Sequence, residues 1–180
     1  MRVESVIALA VIVASPTSGQ SQNVPSPKSE RVLLPPTAFP DLPRNLVQEL
    51  QGRGCTIPQA VEYKDRHNVI HGAFRKSGQT DWAVICFEDD WITILVFWDG
   101  SEQNPAQVSK WLEREQRSIF AGFLGAVDKK YIMERYRASA GPKPPPIDHH
   151  GIEAGTEKAS MIYYFYRDRW LILQGADQKR

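Results

Sequence analysis

The run Ile92-Thr-Ile-Leu-Val-Phe-Trp98 is apolar at nearly every position. A strand with one wet face alternates apolar and polar residues, because successive side chains point to opposite sides of the sheet. A strand that does not alternate is covered on both faces. The chain must therefore pack something on each side of this segment, which rules out a lone hairpin or a one-sided sheet. Trp82–Phe87 is the other clear strand, and Glu88-Asp-Asp90 joins the two as a short hairpin.

Further elements gather around that pair. Asn68–Phe74 reads as a strand, followed by a polar turn at Lys76–Thr80. Ala159–Tyr166 and Trp170–Leu173 read as a second hairpin around Arg167-Asp-Arg169. Asp41-Leu-Pro43 has the capping side chain and early proline of a helix start. Leu42, Leu46 and Leu50 then recur every four residues, and Gly52 and Gly54 end the helix. Ser109 is expected to cap a helix through Phe123, with Leu112, Ile119 and Phe120 near one face. Asp128–Tyr136 fits a helix or a strand, and Gly141 just beyond favours the helix. The expected fold class is α+β: a single antiparallel sheet of about five strands with two or three helices packed on it.

The amino terminus sets the compartment. Val6–Ala14 is an apolar run too short to span a bilayer, with Arg2 before it and the small residues Thr17-Ser-Gly19 after it. This pattern predicts a secretory signal peptide over residues 1–19. Residues 20–40 carry prolines at 25, 27, 35, 36 and 40, which predicts a flexible leader. Val32-Leu-Leu34 and Phe39 make its end apolar enough to dock. A single globular domain is expected over 41–180. Export to the periplasm or beyond predicts a disulfide between the two cysteines, Cys55 and Cys86. No second apolar run reaches the length of a membrane span. The 22 basic and 21 acidic residues give a net charge of +1, so no global field draws in nucleic acid or anionic lipid.

Gly72-Ala-Phe74 followed by Gly78-Gln-Thr-Asp-Trp-Ala-Val84 resembles one strand-turn-strand unit of the FG-GAP/VCBS type. The resemblance spans about fifteen residues and occurs once. In that family the intervening loop carries acidic calcium ligands; here Ala73, Arg75, Lys76 and Ser77 stand there, and only Asp81 keeps an acid. The resemblance therefore implies a hairpin shape and no calcium site. The whole chain is also similar to small uncharacterised exported bacterial proteins, which implies no activity.

Asp148, His149, His150 and Glu153 are the densest set of potential metal ligands, and a metal-dependent hydrolase would use them. Adjacent histidines diverge in regular structure, however, and an ordinary surface loop after Pro142–Pro146 is the plainer reading. His67 and His71 stand four apart, but Val69 and Ile70 between them favour a strand with a satisfied His71 ring. Glu88, Asp89 and Asp90 suit a turn. No nucleophile elbow or phosphate-binding glycine loop is present in the sequence. The aromatics are numerous. Trp82, Tyr163, Tyr164 and Tyr166 are candidates for a binding surface, since half-covered rings on a sheet suit sugar rings or an apolar partner. The sequence thus points to an exported binding or structural domain that needs no cofactor, with an envelope protein or a glycan as partner.

Overall fold

The computed structural model describes residues 31–61, 63–112, 122–138, 143–156 and 159–174. The expected signal peptide and most of the leader lie outside the described residues. Arg31–Leu34 (β1) pairs antiparallel with Ile57–Ala60 (β2), so the apolar end of the leader enters the fold as a strand. Helix α1, Arg44–Gly52, lies between them and starts directly after Pro43.

Two four-stranded antiparallel meanders follow in chain order. The first comprises β3 (Val69–Gly72), β4 (Asp81–Glu88), β5 (Trp91–Phe97) and β6 (Ala106–Leu112). The second comprises β7 (Phe123–Val127), β8 (Gly151–Gly155), β9 (Ser160–Tyr166) and β10 (Arg169–Gln174). Helix α2, Lys129–Ala138, is carried on the connection from β7 to β8.

The expected single five-stranded sheet is therefore wrong. The protein is mostly β, with three sheets of two, four and four strands and two α-helices among the described residues. Two local misreadings explain the difference. Ser109 stands inside β6 rather than at a helix start, and Phe123 opens β7 rather than closing a helix. Residues 113–121 between them lie outside the described residues. The stretch read as a surface loop around Glu153 contains β8, a central strand buried along its whole length.

Period-2 geometry turns these strands into layers. Ile85, Ile92, Ile94 and Val96 on the inner face of the first meander pack against Leu124, Ile152, Ala154 and Tyr163 of the second. The intervening residues Val84, Cys86, Leu95 and Phe97 point the other way, onto Leu46 and Leu50 of α1. On the far side, Ile162, Tyr164 and Leu173 meet Ile132 of α2. The order is α1, first sheet, second sheet, α2. Each fully buried aliphatic side chain in these three cores contributes about 1.5–3 kcal/mol. The non-alternating β5 is covered by a sheet on one face and by α1 on the other.

The hairpins close tightly. Asp89 and Asp90, and likewise Arg167 and Asp168, occupy two-residue turns with φ of 46° and 64°, and 50° and 58°. Paired positive φ values give the type I′ geometry whose twist matches the flanking strands. The Cys55–Cys86 disulfide ties the exit of α1 to β4, with Cα atoms 5.3 Å apart.

Candidate functional site

The structure disperses the four candidate metal ligands. Glu153 projects onto the α2 face, where Ser160 Oγ donates to Oε1 at 2.6 Å and the Tyr131 hydroxyl lies 2.8 Å from each carboxylate oxygen. Arg135 Nη2 donates to that hydroxyl at 2.6 Å. Burial pushes the Tyr131 phenol above its ordinary value, and the Arg135 hydrogen bond opposes the shift. His150 turns the other way, towards the first sheet. Its backbone N–H donates to Ala73 O at 2.8 Å, and its Nδ1 accepts from Ala73 N at 3.1 Å. The His149 ring stacks on Tyr164 at 4.3 Å, and Asp148 Oδ1 accepts from the Tyr164 hydroxyl at 3.1 Å. Among the described residues no three His, Cys, Asp or Glu side chains converge to hold a metal ion. The four residues instead fasten α2 and the entry to β8.

The candidate aromatic surface divides as well. Tyr163 is 2 % exposed and Tyr164 is fully buried, so both are core residues. Neighbours on one strand point to opposite faces, but here each face is covered, one by the first sheet and one by α2. Burial raises both phenols above their ordinary value. Trp82 is half-buried and sits beside the exposed His71, with ring centroids 5.1 Å apart. Both line a cleft of about 560 Å³ that also includes Phe39, Leu42 and Arg66. His67 is committed internally: its Nε2 accepts from Ala60 N at 2.9 Å. Tyr166 alone of the three tyrosines reaches solvent, half-buried beneath the guanidinium of Arg167 at 5.2 Å.

A denser aromatic group lies on the other face of the second sheet from Tyr166, which packs towards α2. Trp98 follows β5, and Trp170 lies at the start of β10, with Phe165 opposite it on β9. The indoles of Trp98 and Trp170 are nearly parallel, 12° apart, with centroids 5.8 Å from each other. Phe165 meets Trp98 at 5.0 Å and Trp170 at 5.2 Å. All three rings are partly buried, and Trp98 and Trp170 pack against the core between the sheets. The Arg75 guanidinium lies over Trp98, 5.5 Å from the ring centroid.

One buried carboxylate fixes this arrangement. Asp81, fully buried at the start of β4, accepts from Phe74 N at 2.8 Å and Arg75 N at 3.0 Å through Oδ2. Its Oδ1 accepts from Asp99 N at 2.8 Å and from Gln79 Nε2. The carboxylate thus ties the turn that carries Arg75 to the turn that follows Trp98. A fully satisfied buried carboxylate of this kind positions loops without exposing its charge. Sequence reading singled out Asp81 as the acid kept in the FG-GAP/VCBS-like hairpin. It missed Trp98 and Trp170 as a pair, because their meeting depends on the stacking of two sheets. The available signal was that each tryptophan adjoins a turn.

Comparison with protein-family models, with curated proteins and with solved structures finds no match for the chain.

Proposed function

We propose that the protein is an exported binding domain that takes a glycan on the aromatic end of its sandwich, with no chemistry of its own. The carrying observation is the partly exposed group of Trp98, Phe165 and Trp170, with the Arg75 guanidinium over Trp98. The C–H face of a sugar ring packs well on an indole, and aromatic groups with solvent-facing surface dominate recognition sites. Rigid support favours such a site. The rings stand on strand ends and tight turns, and Asp81 holds two of those turns, so little side-chain entropy is lost when a ligand arrives. The Cys55–Cys86 disulfide accords with maturation in an oxidising compartment.

The test is a titration of the purified protein with a panel of neutral and acidic oligosaccharides, read by tryptophan fluorescence and calorimetry. A member of the panel should bind, and Trp98→Ala or Trp170→Ala should weaken it at least tenfold. Trp91→Ala, at the far end of β5, should leave affinity unchanged. Binding that survives loss of both Trp98 and Trp170, or a panel with no ligand at all, would refute the proposal.

A further inference from the structure

We infer that His150 and His67 form an acid-released latch: two uncharged imidazoles that hold backbone N–H groups and let them go when the rings take up a proton. The latch does not depend on a glycan and is read without a ligand. Neutral imidazole donates from one ring nitrogen and accepts at the other, whereas protonated imidazole donates from both. A ring nitrogen that receives a backbone N–H is therefore a contact of the uncharged ring alone. Both rings are used in this way. His150 Nδ1 accepts from Ala73 N at 3.1 Å, and His67 Nε2 accepts from Ala60 N at 2.9 Å. A proton added at either nitrogen sets two N–H groups against each other. Folding thus disfavours the protonated ring, so the latch holds on the alkaline side and opens as the pH falls.

His150 joins the two sheets. It stands immediately before β8 in the second sheet, and Ala73 immediately follows β3 in the first. His150 N also donates to Ala73 O at 2.8 Å, so both backbone groups of Ala73 are held by one residue across the sandwich. The fit is close: a Cβ on Gly72 would lie 3.0 Å from His150 Nδ1. The next two amides of that turn, Phe74 and Arg75, go to Asp81, and the Arg75 guanidinium lies over Trp98. The turn that carries Arg75 is thereby tied to the second sheet by a contact that acid removes. His67 does the same at β2. Its Nδ1 lies 3.1 Å from Asp65 O, which only a donor can satisfy, so the ring proton sits on Nδ1 and Nε2 is the acceptor. Gln59 Oε1 accepts from His67 N at 2.8 Å and its Nε2 donates to His67 O at 2.7 Å, so ring and backbone of His67 are both tied to β2. The ionisable groups around His150 are Arg75 and Asp81 from the first sheet, Tyr164 from β9, and Asp148 and His149 from its own segment. Asp81 is filled by its four donors, and Asp148 Oδ1 accepts from the Tyr164 hydroxyl and lies 3.8 Å from His149 Nε2. Around His67 stand Asp65, Arg66 and the Tyr63 ring at 4.8 Å, with Arg31 opposite Ala60 in the β1–β2 register.

The experiment is NMR on the full chain at about pH 7.5 and about pH 5, either side of the range in which histidine changes charge. Long-range proton–nitrogen spectra read which ring nitrogens carry protons. Hydrogen exchange at the Ala73 and Ala60 amides, divided by the intrinsic rate at each pH, reads the latch itself. At the higher pH, His150 Nδ1 and His67 Nε2 should be bare and both amides protected. At the lower pH, protection of each amide should fall roughly tenfold or more. His150→Asn and His67→Gln put a carbonyl oxygen where the accepting nitrogen stands, and an amide takes up no proton in this range. Each variant should keep its own amide protected at both pH values, an outcome that general loosening in acid does not produce. Each residue is judged on its own amide, so the second variant carries the test if the first fails to fold. A proton on the accepting nitrogen at the higher pH, protection that is equal at the two pH values in the unsubstituted protein, or an acid loss that persists in the matching variant would overturn the latch.

Discussion

Asp81 carries more structure than any other single side chain at the proposed site. Its two oxygens receive three backbone N–H groups from two different turns, at 2.8 to 3.0 Å. Asparagine keeps one acceptor oxygen but sets an NH2 group against backbone donors bonded to this carboxylate. We expect Asp81→Asn to lower stability by about 2–3 kcal/mol in chemical denaturation, since hydrogen bonds to a buried charge are strong and leaving their partners unsatisfied is costly. Ligand binding should weaken as well, because Arg75 and Trp98 lose their common anchor. An unchanged denaturation midpoint would show that the turns hold without it. The importance of Asp81 was partly legible, since it is the lone acid in a turn-rich motif, but its four donors come from residues 74 to 99 and only the folded chain assembles them. The reverse holds for Tyr163 and Tyr164. Their alternation along a strand was legible, whereas their burial required knowing that a helix covers one face and a sheet the other.

At the level of elements, the disulfide and α1 act together. Cys55 lies three residues past the end of the helix, and Cys86 lies in β4 at a sequence separation of 31. Closing a loop of that length stabilises the fold by about 3–4 kcal/mol in the chain-entropy model. A Cys55→Ser, Cys86→Ser double variant should lose about that much in a denaturant titration while keeping its strand content by circular dichroism. No loss would mean that burial of Leu46 and Leu50 alone holds the helix in place. Elements with strong local signals were readable: the β4–β5 and β9–β10 hairpins and α1 lie close to where apolar periodicity and turn residues put them. Strand β8 was not. It is short, has glycine at both ends and places Glu153 at its centre, all of which read as loop. Gly151 sits in tight packing, because a Cβ would lie 3.1 Å from Ile162 Cγ2, 3.2 Å from Ile132 Cδ1 of α2 and 3.2 Å from Tyr163 O, and these neighbours would have to give by a few tenths of an ångström. A glycine that signals close approach looks, in sequence, like one that signals a turn.

On the scale of the whole molecule, four layers bury three cores, and tyrosines lie in two of them. Burial holds the phenols of Tyr163 and Tyr164 above the ordinary value of 10.0. In the unfolded chain these groups ionise near that value, so above it the unfolded state sheds protons that the native state keeps. The stability they contribute is complete below pH of about 10 and is lost as the pH rises through the folded values. Thermal unfolding between pH 8 and 11 should therefore show a midpoint that falls at the alkaline end, and Tyr163→Phe should reduce the fall. A midpoint flat across that range would contradict it. The layering also explains why the proposed site escaped sequence reading: Trp98 and Trp170 belong to different meanders, and only the stacking of one sheet on the other brings them to 5.8 Å. The most direct test of the account is two-dimensional NMR of the five indole N–H signals during titration with the oligosaccharide panel. The account predicts that Trp98 and Trp170 shift with saturation while Trp91 and Trp111 stay still; movement confined to Trp82, beside the separate cleft, or to none of the five, would contradict it.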